Sequence, residues 1–136
     1  MTGRLRMATV SLVAIVILVA CNDDSGSPEA LCQAVAEGDG ITTLFQGFDP
    51  SDPEAALETL RRARVVLGDL LDEAPDEVRD DLEVEIDYVQ ALIDALEPVE
   101  PGDTTEAALQ VQSVTDAHPD VPEASAALSA FADREC

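Results

Sequence analysis

PEAALETLRRARVVLGDLLDEAPDEVRDDLEVEIDYVQALIDALEP, Pro53 to Pro98, carries two amphipathic runs on either side of one break. In the first run Leu57, Leu60, Ala63, Leu67, Leu70 and Leu71 recur at steps of three and four, which is one stripe of an α-helix. Asp52, Pro53 and Glu54 form its start: a capping oxygen, a proline at the first turn and an acid at the positive end of the dipole. Gly68 in its middle either weakens the helix slightly or lets a neighbour approach closely. Pro75 opens the second run, whose apolar line is Val78, Leu82, Ile86, Val89, Ile93 and Leu96, widened by Val84, Tyr88 and Leu92. Asp76, Glu77, Asp80, Asp81, Glu83, Glu85 and Asp87 crowd its first half. Those in the first turn suit the dipole. The later ones, Glu85 among them, repel one another and are expected mostly to face water.

The same signals extend outward in both directions. Ser27, Pro28 and Glu29 start a helix that carries Leu31, Ala34 and Val35 on one side and stops near Gly38. Ile41 to Phe48 has room for a short helical turn with Leu44, Phe45 and Phe48 inward. After the loop EPVEPGD, Asp103 or Thr104 begins a further helix with Ala107, Ala108, Val111 and Val114 inward. HPDVP breaks it, because its two prolines cannot continue a helix. A last segment carries Ala124, Leu128 and Phe131 to the terminal Cys136. No alternating strand pattern of useful length and no internal repeat interrupts this series. The expectation is an all-α fold over residues 28–136: a small bundle of about four principal helices plus the short turn. Its short loops predict antiparallel neighbours.

The charge balance is lopsided. The 136 residues hold 29 acids and seven bases, every base is Arg, and the formal net charge is −22. Such a surface repels nucleic-acid phosphate and anionic head groups, so nucleic acid is not an expected partner. High charge with only 3% aromatic residues also suits a disordered chain. The regular supply of Leu, Val, Ile and Ala at helical spacing argues instead for a bundle, with a core made thin by alanine.

The first 27 residues are of another kind. MTGRLRM is a short basic start, and Met7 to Ala20 is apolar apart from Thr9 and Ser11. Fourteen helical residues reach roughly 21 Å, short of the roughly 30 Å of a hydrocarbon layer, which suits a secretory signal better than a stable span. Leu18, Val19, Ala20 and Cys21 follow. This tetrad resembles the lipobox of bacterial lipoproteins. The resemblance implies that Leu18, Val19 and Ala20 are signal-peptidase recognition positions and that Cys21 is the lipidated residue. The sulfur would carry a diacylglyceryl group with acyl chains such as palmitate, and the chain would be cut on the N-terminal side of Cys21. Residues 1–20 would then be a signal peptide and residues 21–27 a lipidated, flexible acidic tether. A plain secretory signal and an uncleaved anchor helix are the rival readings. A mature chain starting at Cys21 would hold all 29 acids and five Arg, a net charge of −24. Each buried methylene adds about 0.8 kcal/mol of membrane affinity, so two acyl chains hold far better than one. The expected localisation is the cell membrane, lipid-anchored, on the extracytoplasmic face. Asn22 rather than Asp follows the cysteine, which leaves the leaflet open.

With Cys21 lipidated, Cys32 and Cys136 remain. An even pair in an exported domain predicts a disulfide, which would tie down the C-terminus. Two free thiols, or a metal pair, are the alternatives. One histidine and two distant cysteines make a poor zinc set.

No motif for catalysis emerges. His118, the only histidine, lies before Pro119 at a helix end and reads as a surface residue. There is no nucleophile elbow, phosphate loop or dinucleotide fingerprint. Asp49, Asp52 and Glu54, and separately Glu37 and Asp39, lack the ligand order of a calcium loop, and capping accounts for Asp52 and Glu54. No metal site, cofactor or catalytic residue is expected. Arg61, Arg62 and Arg64 form a basic cluster in an acidic field, either an anion contact or, for Arg62 with Glu58, an ordinary i, i+4 pair. The region from Leu31 to Cys136 is similar in pattern to small helical actinobacterial lipoproteins of no assigned activity, and the absence of Lys fits a GC-rich genome. No functional residue follows from that likeness. Three functions compete. The favoured one is a non-catalytic interaction or accessory module of the cell envelope, with an envelope protein as its partner. A small-ligand- or cation-binding lipoprotein needs a pocket with convergent polar groups. An enzyme needs a perturbed carboxylate pair.

Overall fold

The computed structural model describes residues 26–37 and 48–136. Among them are five helices and no strand: α1 (Pro28–Glu37), α2 (Pro53–Asp72), α3 (Asp76–Leu96), α4 (Thr104–Ala117) and α5 (Val121–Glu135). The fold is an all-α bundle, as the periodicity requires. Leu44 and Phe45 of the expected short turn lie outside the described residues. Phe48, at its end, packs half-buried against the core.

The caps are the ones the sequence names. Ser27 Oγ accepts from the Ala30 amide at 3.1 Å. Asp52 accepts from the Ala55 amide at 3.1 Å, and Asp103 from the Glu106 amide at 3.0 Å. Each side chain satisfies one of the amides that a helix start leaves unpaired. The α3–α4 loop turns at Pro101–Gly102, where the Asp103 amide donates to Glu100 O at 3.0 Å and Gly102 sits at φ +88°. Proline followed by a residue of positive φ is the recipe of a type II turn, and glycine takes that φ without steric cost.

The core is built on the α2–α3 hairpin. Ala56, Leu60, Ala63, Leu67, Leu70 and Ala74 are buried along α2 and its end, at alternating steps of four and three. Buried Val78, Leu82, Glu85, Val89, Leu92 and Leu96 repeat the same steps along α3. This heptad spacing keeps one seam facing a neighbour along a whole helix, as in coiled coils. Gly68 admits no close neighbour: a methyl group there would meet only the Arg64 guanidinium, at 3.6 Å.

The remaining helices depart from simple alternation. Tyr88 on α3 meets Thr115 near the end of α4, Glu85 meets Ser125 in α5, and Glu77 meets Arg134 near the end of α5. Later residues of α4 and then of α5 thus meet ever earlier residues of α3. Both helices run antiparallel to α3, end to end, as one arm broken at His118-Pro119-Asp120. The expectation that neighbours alternate fails at this joint, because a break enforced by proline redirects a helix without folding it back. Ala108, expected inward, is exposed; only Ala107 is fully buried on α4, with Val111 and Val114 half-buried against the core.

α1 packs on α2 and α5, and its Cys32 is bonded to Cys136, with Cα atoms 5.5 Å apart across 104 residues of chain. The predicted disulfide is present. Leu31 is buried beside it, and Ala34 and Val35 pack half-buried against the core.

Candidate functional site

The joint in the α4–α5 arm leaves a partly open cleft against α3, with a volume of about 270 Å³. Leu60 of α2, Leu92 of α3, Val121 of α5 and Phe48 form its apolar walls. Glu85, Tyr88 and Ser125 supply the polar atoms. Helical spacing produces this grouping. Glu85, Tyr88 and Leu92 lie one turn apart on α3, while Val121 and Ser125 lie one turn apart at the start of α5.

Glu85 is the buried charged residue of the described protein, at 5% exposure. The expectation that it faces water is therefore wrong. Its neighbours in sequence explain the error: the nearest acids, Glu83 and Asp87, are exposed, and the apolar line through Ile86 passes beside it. The heptad from Leu82 to Val89 passes through position 85 itself, and that spacing was the available signal. The Ser125 hydroxyl donates to Glu85 Oε1. Burial pushes the Glu85 carboxyl above the usual range, and the Ser125 hydrogen bond offsets only part of that. No ion pair among the described residues involves it.

A second acid of α3 is also raised. Asp81, one turn before Glu85, is pushed up by partial burial, then by the charges of Asp80 and of Glu123 on α5. The arginines are engaged elsewhere. Arg61 pairs with Glu97 at 2.9 Å and Arg62 with Glu58 at 3.1 Å. Arg79 donates to Ala74 O at 3.0 Å, and Arg134 pairs with Glu77 at 2.5 Å and with Glu135 at 2.9 Å. Arg64 keeps its Nε buried without a hydrogen-bond partner among the described residues. The basic cluster of the sequence is thus largely spent on surface pairs.

His118 and Tyr88 build the joint. The His118 amide caps α4 on Thr115 O at 3.2 Å, and its ring Nδ1 donates to Val114 O at 2.8 Å. The ring lies tilted against Tyr88, with centroids 5.6 Å apart. Tyr88 Oη and Thr115 Oγ1 are hydrogen-bonded at 3.0 Å, and Thr115 also donates to Val111 O at 2.9 Å. The histidine is a half-buried strut of the break, not the surface residue the sequence suggested.

The other sequence candidates do not converge. Asp49 accepts from the amide and hydroxyl of Ser51, at 2.8 and 2.5 Å, and these bonds hold its carboxyl below the usual range. Asp52 is occupied as a cap, and no group of three metal-ligating side chains occurs among the described residues. Asp39, and the tetrad Leu18, Val19, Ala20 and Cys21, lie outside the described residues. No described helix is long and apolar enough to cross a membrane. The large apolar side chains left exposed are Val65 at 63% and Leu109 at 57%, on different helices. Comparison with protein-family models, with curated proteins and with solved structures found no match.

Proposed function

We propose that the chain is a lipoprotein of the bacterial cell envelope, cut before Cys21, held to the membrane by a diacylglyceryl group on that sulfur, and acting through a non-catalytic binding domain on the extracytoplasmic side. The observation that carries this reading is the order basic start, apolar core, Leu18-Val19-Ala20-Cys21, acidic chain. The Cys32–Cys136 bond supports it from an independent direction, because such bonds persist in oxidising compartments. Of the two binding readings, an accessory module for an envelope protein and a small-ligand lipoprotein, the Glu85 cleft favours the second, since it joins apolar walls to a few convergent polar groups.

The domain would sit close to the bilayer. A methyl group on Gly26 would fall 2.0 Å from Glu73 O, so the chain before α1 passes tightly over the α2–α3 turn. Only residues 22–25 then separate Cys21 from a packed position. Five fully extended steps of chain span roughly 17 Å at most.

Expression of the full chain in a bacterial host that processes lipoproteins tests the anchor. Membrane-extracted protein should lack residues 1–20 and carry the diacylglyceryl mass on Cys21, and Cys21→Ala should abolish that mass and the membrane retention. A membrane-bound protein that keeps residues 1–20 and an unmodified Cys21 would overturn the lipoprotein reading.

A further inference from the structure

Glu85 presents a physical problem that the fold does not solve. A carboxylate withdrawn from water is costly unless it is paired and fully hydrogen-bonded. Glu85 stands at a heptad position that Leu or Val would fill, it is 5% exposed, and its hydrogen-bond partner is a single hydroxyl. The cleft beside it has space and apolar walls, none of its lining residues is basic, and Asp81, one turn before Glu85 on α3, lies within the field of Glu123 on α5. What the site lacks is a positive charge with N–H donors, carried on a small apolar body.

We infer that the Glu85 cleft binds a small primary or secondary alkylammonium, with the N–H groups donating to the Glu85 carboxylate and Ser125 Oγ and the alkyl body lying against Leu60, Leu92 and Val121. The cavity decides against other cations and larger ligands. At about 270 Å³ it falls just below the roughly 300–1,000 Å³ of pockets for drug-sized ligands. A calcium or magnesium ion seeks six or more oxygens, and this cleft offers the Glu85 carboxylate and Ser125. Tyr88 Oη is already engaged by Thr115. A carboxylate or phosphate ligand would meet Glu85 with the wrong sign. An uncharged alcohol would fill the apolar space and leave the buried charge uncompensated. The joint between α4 and α5 sets the ligand's size, because Val121 and Ser125 begin the helix that follows the break.

This inference rests on the binding-domain reading but not on lipidation, so the two fail separately. The test uses the full chain in bilayer discs, isotope-labelled for amide resonances and titrated at about pH 7 with n-butylammonium, n-butanol, butyrate or calcium. Butylammonium should give saturable shifts centred on Glu85, Tyr88, Val121 and Ser125 that persist in about 0.3 M salt, where the Debye length is roughly 6 Å. Butanol and butyrate should bind at least tenfold more weakly. Glu85→Gln should weaken butylammonium at least tenfold and bring it level with butanol. Val121→Phe, which fills the cleft and leaves the charge in place, should abolish binding even if Glu85→Gln disturbs the fold. Equal binding of butanol and butylammonium, shifts spread over the acidic surface and erased by salt, tighter Glu85-dependent binding of calcium, or butylammonium binding unaffected by Val121→Phe would each overturn the proposal. Loss of membrane retention by Cys21→Ala with the titration unchanged would leave the cleft assignment standing.

Discussion

The α2–α3 hairpin and the α4–α5 arm are made from similar residues and solve the burial problem differently. On the hairpin, a heptad seam of alanine and leucine meets a heptad seam of valine and leucine interrupted once, by Glu85, and the seam positions are buried. On the arm, α4 buries one alanine completely and leaves its valines half-exposed, while α5 contributes Ala124, Leu128 and Phe131. The hairpin is continuous, and its seam is apolar except at Glu85. The arm is broken by prolines, and where it breaks a cavity opens beside the carboxylate that α3 buries against it. The contrast teaches that the well-packed hairpin can hold one buried carboxylate on α3 at the place where the looser arm leaves room beside it.

Removing the covalent tie between α1 and the end of the arm should have the largest effect. Cys32→Ser with Cys136→Ser releases a constraint on a loop of about 100 residues, worth up to about 4.7 kcal/mol in the chain-entropy model, with α1 and the end of α5 fraying first. Thermal unfolding by circular dichroism and amide exchange near Leu31 and Phe131 would show it; an unchanged midpoint would mean the bond is dispensable. Next in size, Leu82→Ala in the hairpin should cost about 2–5 kcal/mol, as a fully buried leucine deletion does. Val111→Ala on the arm, at a half-buried site, should cost about 1 kcal/mol. Equal costs would erase the distinction between the two regions. The smallest effect sharpens it. Gly68→Ala meets only the Arg64 side chain at 3.6 Å, and should stabilise α2 by about 0.5–1 kcal/mol, read as a rise in the unfolding midpoint.

How far these regions were legible in the sequence follows the same division. The hairpin was plain because each helix repeats a long apolar period, and its capping residues, Asp52 above all, do what capping residues do. The disulfide followed from cysteine number and the compartment that the sequence led us to expect. The arm was harder to read. Ala108 and Ala107 are indistinguishable by hydropathy, and only packing against α3 decides which is inside. Proline marked the break but not the direction taken after it. Glu85 was hidden by its company: six other acids lie in the same half-helix, and charge density argued for solvent while the seam spacing argued for the core. Tertiary packing overrode composition at that position, which is where function is to be sought.

Glu85 also supplies the most direct test that the α3 seam gives up stability where it faces the joint of the arm. A carboxyl whose folded pKa lies above its unfolded value binds more protons when folded, so stability falls as pH rises from the ordinary carboxylate value, 4.5, through the raised one. Below that window the penalty vanishes; above it the penalty is complete. Glu85→Gln removes the charge and keeps the shape. Unfolding midpoints of the parent and Glu85→Gln chains, compared at about pH 7 and about pH 4, should show the variant more stable at the higher pH and the two nearly equal at the lower. A variant less stable than the parent at about pH 7 would mean that the buried carboxylate holds the fold together, and would contradict the account.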